Sequence, residues 1–347
     1  MTTTGRKARE TVFAPRIDEL LRTHRGHSLF RLEPDTVGVA GPDLMDAVLR
    51  ARPANAEERP TFKPVLGRRV TRAESAALMQ AVAADVRAAL KKPPAADAAA
   101  RLTGRWPLAA HNYLRDLVFG RERLRFRVLV DRRLELTPKL TWAAVAAGAA
   151  ALGRPGPGAA LSYLAALVAE ADDFTERRFA LYLYRRVAAP VCFTVAALVT
   201  SALWLGAPFD DTTPNRHILD EALRLLPPSW NILRVASPEF SRVDATIRAD
   251  DDLLLLPLLS HRDPALWDDP DEFAPERWHD LDPDHTPGYL PFGHVNERCW
   301  GRHMVLPLAE HLLDVVRRDG LAVDPDQTTG RVALDGLLEV SSVRVVR

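Results

Sequence analysis

Cysteine is nearly absent from this chain of 347 residues: Cys192 and Cys299 are the two it has, and they lie far apart. Such a pair gives neither a disulfide framework nor a multi-cysteine metal site, and it suits a reducing, cytoplasmic compartment. An excess of either charge is absent too. Lys plus Arg and Asp plus Glu number 46 each, so the formal charge is +0. No global pull toward nucleic acid or an anionic membrane follows. The sequence lacks a glycine-rich phosphate loop, a Gly-x-Ser-x-Gly elbow and a His-Glu-x-x-His pair, which argues against nucleotide-binding, serine-hydrolase and zinc-protease chemistry. The opening MTTTGRKARE has no apolar core and does not read as a secretory signal. Long apolar runs are scarce. One uncharged stretch, 187–205, approaches the ~20 residues a bilayer requires. It is rich in Ala, Thr and Ser, contains Pro190 and follows Arg185 and Arg186, so we read it as a buried core helix of a soluble, monomeric protein.

What is present is mostly helix. Ala-, Leu- and Arg-rich stretches predict helices at 43–51, 71–91, 106–120, 142–153, 159–171, 174–205, 215–226 and 302–319. Thr71 and Glu74 have capping-box spacing, and Pro93-Pro94 closes that helix. Short strands are predicted at 28–32, 36–40, 232–236, 245–248, 253–258, 331–334 and 338–347. A Pro- and charge-rich connector covers 52–64, a breaker cluster 153–158, and an irregular Pro- and Asp-rich segment 263–288. The expected class is mainly α (α+β) with small peripheral sheets, in a single domain over 1–347 whose residues 1–25 are a candidate flexible N-terminus.

Four local features follow one another in order. Glu221-Ala-Leu-Arg224 places a carboxylate and a guanidinium on one helical face. Arg234 sits in a strand soon after Pro227-Pro228. Phe273-Ala-Pro-Glu-Arg277-Trp278, preceded by His261-Arg-Asp-Pro264, offers a second guanidinium for a bidentate network around Glu221. Pro291-Phe292-Gly293-His294-Val-Asn-Glu-Arg298-Cys299-Trp-Gly301 precedes the last long helix. A cysteine at a helix N-terminus has its thiolate favoured by backbone N–H groups and the helix dipole. Gly293 permits a tight turn, Gly301 a close backbone approach, and Phe292 can shield the sulfur.

This order resembles the C-terminal half of the cytochrome P450 family, over about residues 174 to 345. The resemblance implies that family's fold, with a long central helix over a haem b, and Cys299 as the thiolate ligand of the iron. It also implies that Glu221, Arg224 and Arg277 lock the proximal side, and that Phe292, Gly293, Gly301, Arg234, His294 and Arg298 lie at the cofactor, with Arg234 and His294 or Arg298 as propionate partners. Arg59, Lys63 and Arg68 are equal candidates for the basic residue of an early helix. The family's small-Gly-x-acid-Thr run aligns with Ala189-Pro190-Val191-Cys192-Phe193-Thr194. Cys192 stands at the acid position and Phe193 at the hydroxyl position, so the usual proton relay is missing; Thr194 lies one residue on, about 100° around the helix. Pro190 predicts a kink. The ligand loop departs as well, with Val295 and Glu297 where the family commonly has Gly and a basic residue.

Three functions compete. The first is a monooxygenase that receives electrons from ferredoxin and ferredoxin reductase, with Arg298 and Arg302 in a docking patch, and that oxidises a small organic substrate in bacterial secondary metabolism. The second is a peroxide-driven or non-oxygenating haem-thiolate enzyme (a peroxygenase, dehydratase or oxidative cyclase), which the loss of the acid–hydroxyl pair favours. The third is a catalytically silent partner-binding domain, against which retention of Cys299 argues. Loops before residue 70, the 106–153 region and the strand after Arg234 are expected to select the substrate, with Trp230, Ile232 and Leu233 suggesting an apolar one.

Overall fold

A computed structural model of the chain describes residues 6–7, 9–51, 64–120, 124–131, 138–151, 161–171, 173–294, 298–327, 330–335 and 338–347. They form two compact units. One gathers Met1–Glu57, Leu198–Arg302 and Ala322–Val343; the other gathers Glu58–Ala197, His303–Leu321 and Arg344–Arg347.

The first unit is organised by a four-stranded sheet. Strands Leu29–Glu33 and Thr36–Val39 form the expected antiparallel hairpin. Thr36–Val39 then pairs in parallel with Asp252–Leu255, which pairs antiparallel with Ile232–Arg234. Val37, Val39, Leu253 and Leu255 turn to one core with Phe240 and Ile247. Met45, Val48 and Leu49 enter the same core from helix Pro42–Arg50, their spacing setting one helical face. Two smaller sheets follow. Arg6–Lys7 pairs with Glu272–Phe273, and Val332–Asp335 lies between Thr11–Val12 and Glu339–Val340.

Three expectations change here. Residues 15–24 of the candidate flexible N-terminus form a helix, Pro15–His24. Proline suits a first helical turn, and Leu20 and Leu21 pack against Ala40, Leu256 and Leu259. The strand predicted at 245–248 is a turn, because Asp244 Oδ1 accepts the Thr246 N–H at 2.8 Å and the Thr246 hydroxyl at 2.6 Å. The strand predicted at 253–258 ends at Leu255, and Pro257 opens a short helix to Ser260.

The second unit is helical. Arg72–Leu90 begins with the anticipated capping box between Thr71 and Glu74. Helix Leu108–Phe119 follows a short strand, Gly104–Trp106, whose Trp106 is fully buried and donates its indole N–H to Leu102 O at 2.6 Å. Pro138–Ala151 and Tyr163–Val168 follow, the latter shorter than expected. The central helix runs unbroken over Phe174–Gly206 through Pro190, its residues up to Ala197 belonging to this unit, and the terminal helix covers Arg302–Arg318. The central helix is long and apolar enough to cross a membrane, yet 83% of its most apolar window is buried inside the protein. The architecture is mainly helical with small sheets, as expected. The 153–158 cluster and residues 52–63, with Arg59 and Lys63, lie outside the described residues.

Candidate functional site

Helix Asn215–Leu225 presents Glu221 and Arg224 three residues apart, and both side chains are 0% exposed. A buried ion pair is tolerated when its remaining hydrogen-bonding capacity is filled, and here it is. Arg224 Nε and Nη2 donate to the two Glu221 oxygens at 3.0 and 2.7 Å. Its other N–H groups donate to the carbonyls of His261 (2.8 Å), Pro270 (2.7 Å) and Glu272 (2.9 Å). Glu221 also accepts from Ala274 N (3.0 Å), Arg277 Nε (3.2 Å) and Trp278 Nε1 (3.0 Å). Glu221, Arg224 and Arg277 therefore come together as expected. The indole of Trp278 and the three carbonyls went unrecognised, because their distance along the chain leaves no local spacing signal.

His261 links this network to the cysteine loop. It is fully buried, its Nδ1 lies 3.2 Å from Arg224 O, and its Nε2 accepts the Leu290 N–H at 2.9 Å. Burial, with the neighbouring Arg224 cation, pushes its pKa down to about 3. Tyr289 is anchored beside it, donating its hydroxyl to Asp220 O at 2.9 Å. Gly288 has φ +75°, and a Cβ there would lie 2.0 Å from Ser260 Oγ, so this turn admits glycine alone.

From that anchor the chain enters the loop. Gly293 has φ +80°, the left-handed turn its sequence position called for. The Cys299 N–H donates to Phe292 O at 2.8 Å and Arg302 N to Cys299 O at 3.3 Å, leading into the terminal helix. Cys299 is a free, exposed thiol, Phe292 is partly buried and Gly301 is buried. His294 is buried with Nε2 2.8 Å from Asp46 Oδ1. Arg298 donates to Asp284 at 2.8 Å (Oδ1) and 3.0 Å (O), and Arg302 reaches the same Oδ1 at 2.9 Å. Asp284 therefore offsets part of the charge of the expected docking patch. Arg234 is buried in its strand. Val295 and Glu297 lie outside the described residues.

In the second unit, Cys192 is completely buried, and burial pushes its thiol far up. Phe193 and Thr194 are partly exposed and Pro190 is exposed. Arg68 donates to Glu74 and Glu176, each at 2.7 Å, and lies 4.1 Å over the Phe179 ring. Trp230 packs against the Ala40 cluster and Ile232 against the Val37 cluster, while Leu233 is half exposed.

Residues 216–310, which hold Glu221, Arg224, Arg277 and Cys299, match the family model for cytochrome P450. The fold is likewise that of the cytochromes P450. A six-coordinated P450 from Thermus thermophilus is similar with TM-score 0.59 at 18% identity, over 95% of this chain and 98% of that one. The open form of P450 EryK from S. erythraea is similar with TM-score 0.55 at 18% identity, over 94% of each. Among curated proteins the chain is 38% identical to a cyclooctatin synthase of Streptomyces melanosporofaciens over 88 residues, 25% of this chain and 19% of that protein. It is also 38% identical to that organism's cyclooctat-9-en-7-ol 5-monooxygenase, over 29% of this chain and 22% of the relative. The match thus spans about a fifth of those relatives' length.

Proposed function

We propose that the chain is a haem-thiolate oxidoreductase, a single cytochrome P450-like domain over 1–347 in which Cys299 holds the iron of a haem b. The observation that carries this is Cys299 itself, a free, exposed thiol just ahead of a helix, in a loop tied to a fully satisfied buried ion network. The donor set fits a haem: one thiolate for the iron, a glycine turn at Gly293, and Phe292 beside the sulfur. When bound, the haem supplies iron whose thiolate ligand favours O–O cleavage. The protein's part is positional. Glu221, Arg224 and Arg277 hold the backbone that His261 ties to Leu290, and the Phe292–Cys299 hydrogen bond closes the loop that presents the sulfur. Arg234, His294 and Arg298 are the expected propionate partners; of these, Arg298 must exchange Asp284 for that role.

The reaction we propose is monooxygenation of a small organic molecule in bacterial secondary metabolism, with electrons from ferredoxin and ferredoxin reductase. The name of one Streptomyces relative, cyclooctat-9-en-7-ol 5-monooxygenase, supports the monooxygenation. A peroxide-driven or non-oxygenating reaction is the second reading, favoured by the complete burial of Cys192 at the acid position and by Phe193 at the hydroxyl position. The retention of Cys299 speaks against a silent binding domain, which has no need of a thiolate ligand.

The reduced, carbon-monoxide-treated protein is expected to show the red-shifted Soret band of thiolate ligation, and Cys299→Ser to lose it. Haem bound without that band in the wild type overturns the reading. Turnover with ferredoxin and its reductase, set against turnover with hydrogen peroxide, then separates the two reactions.

A further inference from the structure

Two histidines meet at the edge of the Glu221 network, and the haem-thiolate reading gives them no part. His217 stands in the first turn of helix Asn215–Leu225, and His279 ends the 3-10 turn Pro275–His279. Their ring centroids are 4.7 Å apart and their planes cross at 81°. The two elements are clamped together beside them. Glu221, one turn beyond His217, accepts from Arg277 Nε at 3.2 Å and from Trp278 Nε1 at 3.0 Å, and Trp278 is the residue before His279. A buried network therefore fixes the spacing of the two elements. Donors held in place in this way lose less freedom on binding than donors on loose loops.

The donor atoms suit a transition metal. The Nδ1 of His217 is buried and has no hydrogen-bond partner among the described residues. Burial, then the neighbouring His279 and Arg216, lower the pKa of His217, so its ring is neutral near pH 7. With the proton on Nε2, the lone pair sits on Nδ1. The charge of Arg216 is offset by Asp220, whose Oδ2 accepts from its Nε at 2.8 Å.

The ring spacing selects among metals. An imidazole nitrogen binds a first-row ion at about 2.0–2.1 Å, which sets the ion about 3.2 Å from the ring centre. Centroids 4.7 Å apart then correspond to an N–metal–N angle of about 95°. That is the cis angle of a tetragonal or octahedral ion, as preferred by Cu²⁺ and Ni²⁺, and is narrower than the roughly 109° of tetrahedral Zn²⁺. No group of three or more His, Cys, Asp and Glu side chains gathers among the described residues. Water fills the remaining positions, and His279 is exposed to it.

We propose that His217 and His279 form a two-histidine site for a divalent ion of the Cu²⁺ and Ni²⁺ class. The ion cross-links helix Asn215–Leu225 to the turn Pro275–His279 and stabilises the folded chain by mass action. Neither the site nor its metal depends on the haem.

The test uses the untagged, full-length, haem-loaded protein. Calorimetric titration with nickel chloride is expected to find one Ni²⁺ per chain with a Kd on the order of micromolar. Cu²⁺ is expected to bind more tightly, and its electron paramagnetic resonance to carry the splitting of two nitrogen ligands. His279→Ala and His217→Gln are each expected to weaken Ni²⁺ at least about tenfold, since losing a ligand costs no less than losing a residue that only orients one. His285→Ala, at an exposed histidine elsewhere, is expected to leave it unchanged. Without metal, His279→Ala is expected to keep the wild-type thermal midpoint, so this variant decides if His217→Gln does not fold. No Ni²⁺ binding up to about 1 mM, or an affinity unmoved in either folded variant, overturns the proposal. The same samples are scored for the red-shifted carbon-monoxide band. Ni²⁺ binding without that band removes the haem-thiolate reading alone, and the band without Ni²⁺ binding removes the metal site alone.

Discussion

His261 is clasped by two main-chain groups of opposite kind, the carbonyl of Arg224 and the N–H of Leu290. The neutral ring with its proton on Nδ1 satisfies both, and a protonated ring would turn a second donor on the Leu290 N–H. Burial and the adjacent Arg224 therefore hold the pKa at about 3 in the folded protein, against about 6.5 when unfolded. Between those values the unfolded chain takes up a proton that the folded chain refuses. This contribution to stability is full above about pH 6.5 and is lost as pH falls toward 3. Urea midpoints followed by tryptophan fluorescence are expected to drop across that window, and to drop less steeply in His261→Gln, whose amide can still donate and accept. An equal slope in the two proteins removes His261 as the source. At this scale the Glu221–Arg224 pair was legible from its i, i+3 spacing. Its completion by His261, Pro270 and Glu272 was not, because those carbonyls arrive from 37 to 48 residues away.

Among elements, the short helix Tyr163–Val168 shows how one segment finishes another. Its own Ser162 accepts from Ala165 N at 3.1 Å, the local cap a sequence can display. The next two N–H groups, of Tyr163 and Leu164, go to the carboxylate of Asp85 at 2.7 and 3.0 Å, from the middle of helix Arg72–Leu90. Asp85 is buried, and that burial raises its pKa. Asp85→Ala strands one buried and one part-buried donor and is expected to cost about 1–3 kcal/mol, more than Ser162→Ala at about 1 kcal/mol; the thermal midpoints of the two variants check the order. The capping box at Thr71 was legible because both its partners lie within one turn. The Asp85 cap was not, and an aspartate in mid-helix reads as a solvated face until the neighbouring helix is placed beside it.

At the scale of the molecule, each compact unit is assembled from stretches far apart in the chain. The Val37 cluster takes Val37, Val39, Met45 and Val48 from the first segment and Phe240, Ile247, Leu253 and Leu255 from the second. Its sheet joins Thr36–Val39 to Asp252–Leu255 in parallel register, and Arg31 reaches Asp251 at 2.9 Å through Nη2. Arg9 donates to Leu203 O at 3.2 Å and to Trp204 O at 3.0 Å. Residues 198–347, which contain the whole family-matching region, are therefore expected not to fold alone. Cut there, the strand Asp252–Leu255 loses its parallel neighbour and exposes an apolar edge. Hydrogen exchange on that fragment should show unprotected amides at 252–255, whereas the full chain protects them; protection in the fragment contradicts this account.

The sequence by itself determined the helix-rich class, the capping box and the order of Glu221, Arg224, Arg277 and Cys299. Each is a local matter of periodicity or of residue identity at a fixed spacing. Only the tertiary structure decided that Pro15–His24 is a docked helix, that Arg298 and Arg302 share Asp284, and that His261 carries the network to Leu290. It also decided that the rings of His217 and His279 meet. Those depend on which distant group meets a polar atom, and that pairing exists only once the chain has closed around it.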